Sequence, residues 1–241
     1  MKIKIAHFYY DLLNLYGENG NVKALKQALE QAGCDVTISF ITIGDTPKFQ
    51  QYDVIYIGAG TEENQKIALA DLHQYKQEIK QAITNHKLFI VTGNALELFG
   101  AHIIDHNQQR HEGLNIFPYH AEEVPFRIVD EALFSSTLIP KPILGFQNQG
   151  SVIKDIDTPL FKVIEGTGSY PHSSTEGIHK YEFYGTYLIG PLLVRNPKLL
   201  EYFCKKIIKQ KYPQIKLKKL TFTFEEKAYQ SFMKEHYPKM L

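Results

Sequence analysis

The sequence predicts a doubly wound α/β fold built on a mostly parallel sheet. Strand-like and helix-like patterns alternate through the first half of the chain, and two strand-like segments, YDVIYIGAG and KLFIVTG, are apolar runs that end in glycine. Such runs are typical of strands that are buried on both faces of a parallel sheet. Because strand–helix–strand connections are right-handed, we expect helices on both faces and ligands beyond the carboxyl ends of the strands.

Periodicity and stop signals justify the other elements of this half. Further strands are expected at KIKIAHF, in which isoleucines alternate with lysines, and at DVTISFITI. One helix is expected to end at Gly33, a second to start near Glu62, and a third to open at NALELFG. The apolar faces of the first two helices consist of Val22, Leu25, Leu29 and Ala32, and of Ala68, Leu72, Tyr75, Ile79 and Ile83.

The second half, from about residue 113, has a different character. Its strand-like segments are short and are interrupted by Gly and Pro, which predicts β-ribbons appended to the sheet. Two amphipathic helices are expected at NPKLLEYFCKKIIKQKY and TFEEKAYQSFMKEHY, close to the C-terminus. We therefore expect a single domain over residues 1–241.

Composition limits the classes of function. The formal net charge is +1, so no global field favours nucleic acid or an anionic membrane surface. No segment is apolar enough for a signal peptide or a membrane span. The two cysteines, Cys34 and Cys204, lie far apart without metal-ligand spacing, which fits a reducing compartment and small buried residues. The expectation is a soluble cytoplasmic protein.

The segment FIVTGNALELFG, residues 89–100, runs an apolar strand into a Gly-led turn and then a helix. Many hydrolases and amidotransferases place their nucleophile in such a turn, but this one contains neither Ser nor Cys. Thr92 and Asn94 flank the turn without a base to activate them, so neither is expected to act as a nucleophile.

Other segments are as distinctive: DLLNLYGENGNVKALKQ, GAGTEENQ, ILGFQNQG and EGIHKYEFYGTYLIGP. Together with the turn at Gly93 they resemble, in order and at matching intervals, the glutaminase subunit of lipid II isoglutaminyl synthase. That family is a GatD-like, or cobyric acid synthase-like, branch of the class I glutamine amidotransferases. The resemblance covers roughly residues 5 to 210 and implies a flavodoxin-like fold.

The resemblance implies two lost catalytic groups. Members of the family attack the side-chain amide of glutamine with a Cys in the turn that follows the strand. A His late in the chain activates that Cys. The Cys position falls on Gly93 and the His position on Ile189. Gly has no side chain and Ile cannot accept a proton, so neither supports covalent amide hydrolysis. In the family the released ammonia passes to an ATP-dependent Mur ligase-like (MurT-like) partner, which amidates the peptidoglycan precursor.

Other parts of the pocket are expected to remain. The backbone N–H groups of Gly58 and Gly60 lie where relatives build an oxyanion hole, and Asn94 is a further candidate for substrate binding. Arg127 matches an arginine that holds the carboxylate of glutamine, although an ordinary surface arginine is an equal alternative. Gln149 stands where relatives often carry a His. No metal and no cofactor is expected.

Three hypotheses of function remain open. The favoured one is a catalytically degenerate amidotransferase-like protein that acts as the companion subunit of a Mur ligase-like protein. The second is a hydrolase with non-Cys chemistry, for which Asn94, Glu97 and Arg127 are the polar resources. The third is a sensor that binds glutamine or an analogue against Arg127.

Two groups of charged or metal-binding residue types have less specific patterns. The histidines His102, His106, His111 and His120 match no metal-ligand spacing and are expected in a solvated loop. Seven lysines fall within residues 205–219, and they predict either a solvated face or a surface that docks an acidic partner or anionic lipid. These lysines are Lys205, Lys206, Lys209, Lys211, Lys216, Lys218 and Lys219.

Overall fold

The computed structural model describes residues 1–217 and 219–240, and two sheets organise them. The strands are β1 Lys2–Phe8, β2 Asp35–Ile41, β3 Val54–Ile57, β4 Leu88–Thr92, β5 His102–Ile104, β6 Arg110–Glu112, β7 Ala121–Ser135, β8 Ile143–Ile153, β9 Phe161–Glu165, β10 Thr175–Glu176, β11 Ile178–Lys180 and β12 Phe183–Thr186. The α-helices are α1 Asn19–Gln31, α2 Glu62–Leu72, α3 Lys76–Thr84, α4 Leu192–Arg195, α5 Pro197–Lys211 and α6 Thr223–His236.

The first sheet has the strand order β11-β12-β4-β3-β1-β2. All of its neighbouring strands are parallel except β11, which pairs with β12 in the antiparallel sense. The predicted α/β class with a mostly parallel sheet is confirmed. Because β3 lies between β1 and β4, the turns that follow β3 and β4 meet at the same edge of the sheet.

Apolar side chains cover both faces of this sheet. On β1, Ile3 and Ile5 join the core cluster that contains α1 and α5, whereas Ala6 and Phe8 join the cluster that contains α2 and α3. Side chains on a strand alternate between the two faces, so a strand covered on both sides is apolar in successive positions. This explains the continuous apolar runs at β3 and β4.

The second sheet has the order β10-β9-β7-β5-β6, with β8 paired to β7. The strand-like segments of the second half were expected as ribbons on the first sheet, but only β11 and β12 join it. The long antiparallel pair of β7 and β8 buries Leu133, Phe134 and Ile143 and so supports a sheet of its own. Its ladder is interrupted between Glu123 and Ile128 by a bulge.

Two expected helices have a different form. The helix expected from Glu62 onward is divided by a 3-10 turn, His73–Tyr75, into α2 and α3. The helix expected after Gly93 is a short 3-10 helix, Gly93–Phe99. Within residues 1–217 and 219–240, no helix combines the length and the apolar character that crossing a bilayer requires.

Candidate functional site

The centre of the site is the turn that follows β4. Gly93 has φ +62°, a left-handed conformation that L side chains rarely adopt. A Cβ atom placed on Gly93 would lie 2.4 Å from the Ala59 Cβ and 3.0 Å from the Ile189 Cγ2. The first separation is shorter than real Cβ contacts, so the backbone shape and the surrounding side chains both favour glycine here.

Ile189 lies directly beside this turn. Its side chain is buried, and its backbone N–H donates to the Phe146 carbonyl at 2.9 Å. Positions 93 and 189, which lie far apart in sequence, are therefore neighbours in the fold. Neither residue carries a nucleophile or a proton acceptor.

The Asn94 side chain closes the next part of the site. Its Oδ1 accepts the Gly60 N–H at 3.0 Å, and its Nδ2 donates to the Gly60 carbonyl at 3.0 Å. A Cβ at Gly58 would lie 2.7 Å from the Leu13 carbonyl oxygen, and one at Gly60 would lie 2.4 Å from Leu13 Cδ2. Both glycines permit close packing against the loop after β1, and the Gly60 N–H already has an acceptor.

Arg127 lies on the bulged part of β7, at the mouth of the site. Its Nε donates to Asn148 Oδ1 and its Nη1 to Glu62 Oε1, both at 2.9 Å. The Arg127 and Glu62 side chains are 50% and 36% exposed, so solvent weakens this ion pair.

The space between these residues is small. Gly93, Asn94, Arg127 and Ile189 line a cavity with a volume of about 20 Å³. A cavity of roughly 10–15 Å³ on this measure holds a single water molecule. Arg127 and Glu62 also line an adjoining open groove of about 610 Å³. The residues around the small cavity include no thiol and no imidazole.

A buried carboxyl lies beneath the turn. The Glu18 Oε2 accepts hydrogen bonds from the Tyr56 hydroxyl at 2.9 Å and from the Thr92 hydroxyl, and its Oε1 accepts the Gly190 N–H at 3.1 Å. Burial raises the pKa of Glu18 to about 7, although these hydrogen bonds oppose the shift. Glu18 therefore connects the strand before Gly93 to the turn after Ile189.

Two further buried carboxyls meet at Tyr187. The Tyr187 hydroxyl donates to Glu97 Oε1 at 3.0 Å, and its backbone N–H donates to Glu176 Oε1 at 2.7 Å. Gln65 donates to the other oxygen of Glu97 at 2.8 Å. Burial raises the pKa of both Glu97 and Glu176 to about 7. Each carboxyl is held by structural hydrogen bonds.

Gln149 forms part of the cavity wall and is buried. Its Nε2 donates to the carbonyls of Ser151 and Ser169 at 2.9 and 3.1 Å. Its Oε1 has no hydrogen-bond partner among the described residues. This amide supplies neither a proton nor a proton acceptor of useful basicity.

The four histidines do not lie in one solvated loop. His102 is on β5 and His111 is on β6, where its Nε2 lies 2.8 Å from Asp105 Oδ2. His106, in the turn between these strands, lies 3.0 Å from Glu123, and His120 stacks on His102. Across the described part of the chain, no three His, Cys, Asp or Glu side chains form a group that could hold a metal ion.

The cysteines and the described lysines of residues 205–219 lie outside the site. Cys34 and Cys204 are buried and unbonded, and burial raises the pKa of both thiols, that of Cys204 to about 12. Of the six lysines that the structure describes, three form ion pairs: Lys205 with Glu201, Lys206 with Glu182 and Lys211 with Asp53. Lys218 lies outside the described residues.

Ala59 and Glu18 were not identified from the sequence as parts of the site. The alanine between two glycines in GAG was the available signal for Ala59, because a methyl group there lies next to the turn after β4. Glu18 follows LNLYG in sequence, and nothing local to that segment indicates its burial.

Comparisons with known proteins identify the family of the chain. Residues 4–197 match the CobB/CobQ-like glutamine amidotransferase domain. The chain is 29% identical over 216 residues to the subunit GatD of lipid II isoglutaminyl synthase (glutamine-hydrolyzing) from Streptococcus pneumoniae, covering 88% of this chain and 83% of that protein. The Staphylococcus aureus subunit GatD is 29% identical over 211 residues, with coverages of 87% and 86%.

Among solved structures, the glutaminase domain of Trypanosoma brucei CTPS with bound acivicin has a similar fold. Its TM-score is 0.50 at 8% identity, covering 92% of this chain and 98% of that chain. The resemblance inferred from the sequence is confirmed. The chain belongs to the family of CobB/CobQ-like glutamine amidotransferase domains.

Proposed function

We propose that this protein is a non-catalytic companion subunit of a Mur ligase-like protein in the amidation of lipid II. The family assignment and the similarity to two GatD subunits of lipid II isoglutaminyl synthase support the pathway. The word subunit in the names of both relatives supports an assembly with a second chain.

One observation carries the non-catalytic part of the proposal. Gly93 and Ile189 lie next to each other at the centre of the candidate site, at the two positions where the sequence resemblance implies a nucleophile and its base. Hydrolysis of an amide through a covalent intermediate requires a nucleophile and a proton acceptor within hydrogen-bond reach. Neither residue supplies either group, and no lining residue of the cavity supplies a thiol or an imidazole.

The alternatives have less support. A glutamine sensor at this turn requires a cavity that holds glutamine between Arg127 and Gly93, but the cavity that these two residues share is about 20 Å³, and Arg127 already bonds Glu62 and Asn148. A hydrolase based on Glu97 requires that carboxyl to face substrate, but Gln65 and Tyr187 hold its two oxygens.

Native co-purification tests the companion role. The tagged full chain is recovered from its own cells, and a Mur ligase-like protein is expected to co-purify in stoichiometric amount. The recovered complex is then given lipid II and ATP with either ammonium or glutamine as the nitrogen source. We expect amidation with ammonium and none with glutamine.

Each outcome has a defined meaning. Recovery of the chain without a Mur ligase-like protein would contradict the companion role. Amidation that proceeds as well with glutamine as with ammonium would contradict the loss of glutaminase chemistry. A matched control uses the same complex treated with a glutamine-analogue electrophile, which should neither label this chain nor alter the ammonium-dependent rate.

A further inference from the structure

We propose that Ala59 and Asn94 close the cleft, whichever residues occupy positions 93 and 189. The site is therefore a packed junction and not an open pocket that merely lacks a nucleophile and a base. The inference rests on the proposed function, because it concerns why the same cleft is inactive. It goes further, since it states that restoring a cysteine and a histidine would not reopen the site.

Ala59 fills the space next to the turn at Gly93. It lies two residues after the end of β3, it is buried, and its Cβ would lie 2.4 Å from a Cβ on Gly93. Without the methyl group, the nearest atoms would be Ile189 Cγ2 at 3.0 Å and the Ala59 Cα at 3.3 Å. Removal of one methyl group therefore converts an overlap into a tight but attainable contact.

Asn94 engages a backbone N–H group that would otherwise be able to stabilise an oxyanion. Its amide forms two hydrogen bonds with Gly60, so the Gly60 N–H points at Asn94 Oδ1 and not into the cavity. An oxyanion hole requires donors that are free and directed at the developing charge. The Asn94 carbonyl is held in turn by Gln65 Nε2 at 2.6 Å, and Gln65 also donates to the buried Glu97.

A double-mutant cycle on stability tests the contribution of Ala59. Gly93→Ala alone should lower the thermal midpoint by at least about 2–4 °C, since it adds a buried Cβ at a positive φ. Ala59→Gly alone should also lower the midpoint, because glycine raises the entropy of the unfolded chain. Added to Gly93→Ala, however, Ala59→Gly should raise the midpoint.

This reversal of sign follows from the overlap of two methyl groups, and independent sites do not produce it. If Ala59→Gly lowers the thermal midpoint by the same amount in the wild type and in the Gly93→Ala variant, the proposal is overturned. If Gly93→Ala does not fold, the double variant should fold where Ala59→Gly alone folds. Failure of the double variant under those conditions would equally overturn the proposal.

Thiol labelling tests whether the site opens. In the Gly93→Cys/Ile189→His variant, iodoacetamide should label the new thiol no faster than the wild-type background, which is low because Cys34 and Cys204 are buried. Adding Ala59→Gly should give clear labelling at position 93. Equal labelling of both variants would contradict closure by Ala59.

Amide hydrogen exchange tests the contribution of Asn94. The Gly60 amide should exchange slowly in the wild type and faster in Asn94→Ala, whereas a matched Asn107→Ala change in an exposed turn should leave it unaltered. If the Gly60 amide exchanges at the same rate in Asn94→Ala as in the wild type, the proposed role of Asn94 is overturned. None of these measurements depends on the wild-type reaction or on a partner, so failure here is distinguishable from failure of the companion role.

Discussion

The Glu18 carboxyl accepts the backbone N–H of Gly190 at 3.1 Å, across 172 positions of sequence. The same carboxyl accepts the hydroxyls of Tyr56 and Thr92. Four segments near the cleft are therefore joined by one buried group: the loop after β1, strand β3, the end of β4 and the turn after Ile189. Fully satisfied buried networks of this kind fix the relative positions of the elements that they connect.

Tyr56→Phe should destabilise the protein. The Tyr56 hydroxyl donates to Glu18 and accepts from Asn21 Nδ2 at 2.9 Å, so its removal leaves two buried groups with fewer partners. We expect a loss of roughly 1–3 kcal/mol in the free energy of unfolding, measured by denaturant titration. Tyr181→Phe, at an exposed position, is the matched control and should change little. Equal stability of Tyr56→Phe and the wild type would show that the network is not formed.

The buried glutamates should make stability fall as pH rises. The folded-state pKa of Glu176 is raised to about 7 by burial, above its unfolded value of about 4.3. Its contribution to stability is therefore fully present below the unfolded pKa and is lost as pH rises through about 7. Between about pH 6 and pH 8 the loss is on the order of 1 kcal/mol for this carboxyl.

Glu176→Gln isolates this effect. The variant should lose less stability than the wild type between these pH values, as thermal midpoints at each pH would show. His7, whose pKa is lowered to about 4 by burial, opposes the trend but is common to both proteins. The exposed Glu63→Gln is the control and should follow the wild type. Parallel pH profiles for Glu176→Gln and the wild type would contradict a raised pKa at Glu176.

The sequence predicted the first sheet well because its information is local. The apolar runs at β3 and β4 and the periodicity of α1 and α5 are properties of short segments. The second sheet depends on pairing between β7, β8 and β9, whose register is set by contacts distant in sequence. A repeating pattern of short strands does not specify which sheet each strand joins.

The site likewise combines features that local sequence predicts with features that depend on contacts distant in sequence. The turn at Gly93 follows from the strand–Gly–helix pattern, and the proximity of Ile189 was expected only through resemblance to a family. The reciprocal bonds of Asn94 and Gly60, and the burial of Glu18, are tertiary facts. Asn94 was expected as a binding residue because its amide is polar, but both ends of that amide are occupied by backbone.

Arg127 should contribute little to stability and should not bind glutamine. Arg127→Ala is expected to change the free energy of unfolding by less than about 1 kcal/mol, because its ion pair with Glu62 is solvent-exposed. Calorimetric titration of the wild type with millimolar glutamine should give no binding heat. Binding heat in the wild type that disappears in Arg127→Ala would support the sensor hypothesis instead.

Release of ammonia from glutamine by the purified full chain, alone and bound to its recovered partner, tests the non-catalytic role most directly. With Gly93 and Ile189 at the centre of the cleft, we predict no release above an enzyme-free blank. Sustained release that disappears when a residue of the cleft such as Asn94 or Arg127 is replaced by alanine would show that this site still hydrolyses glutamine.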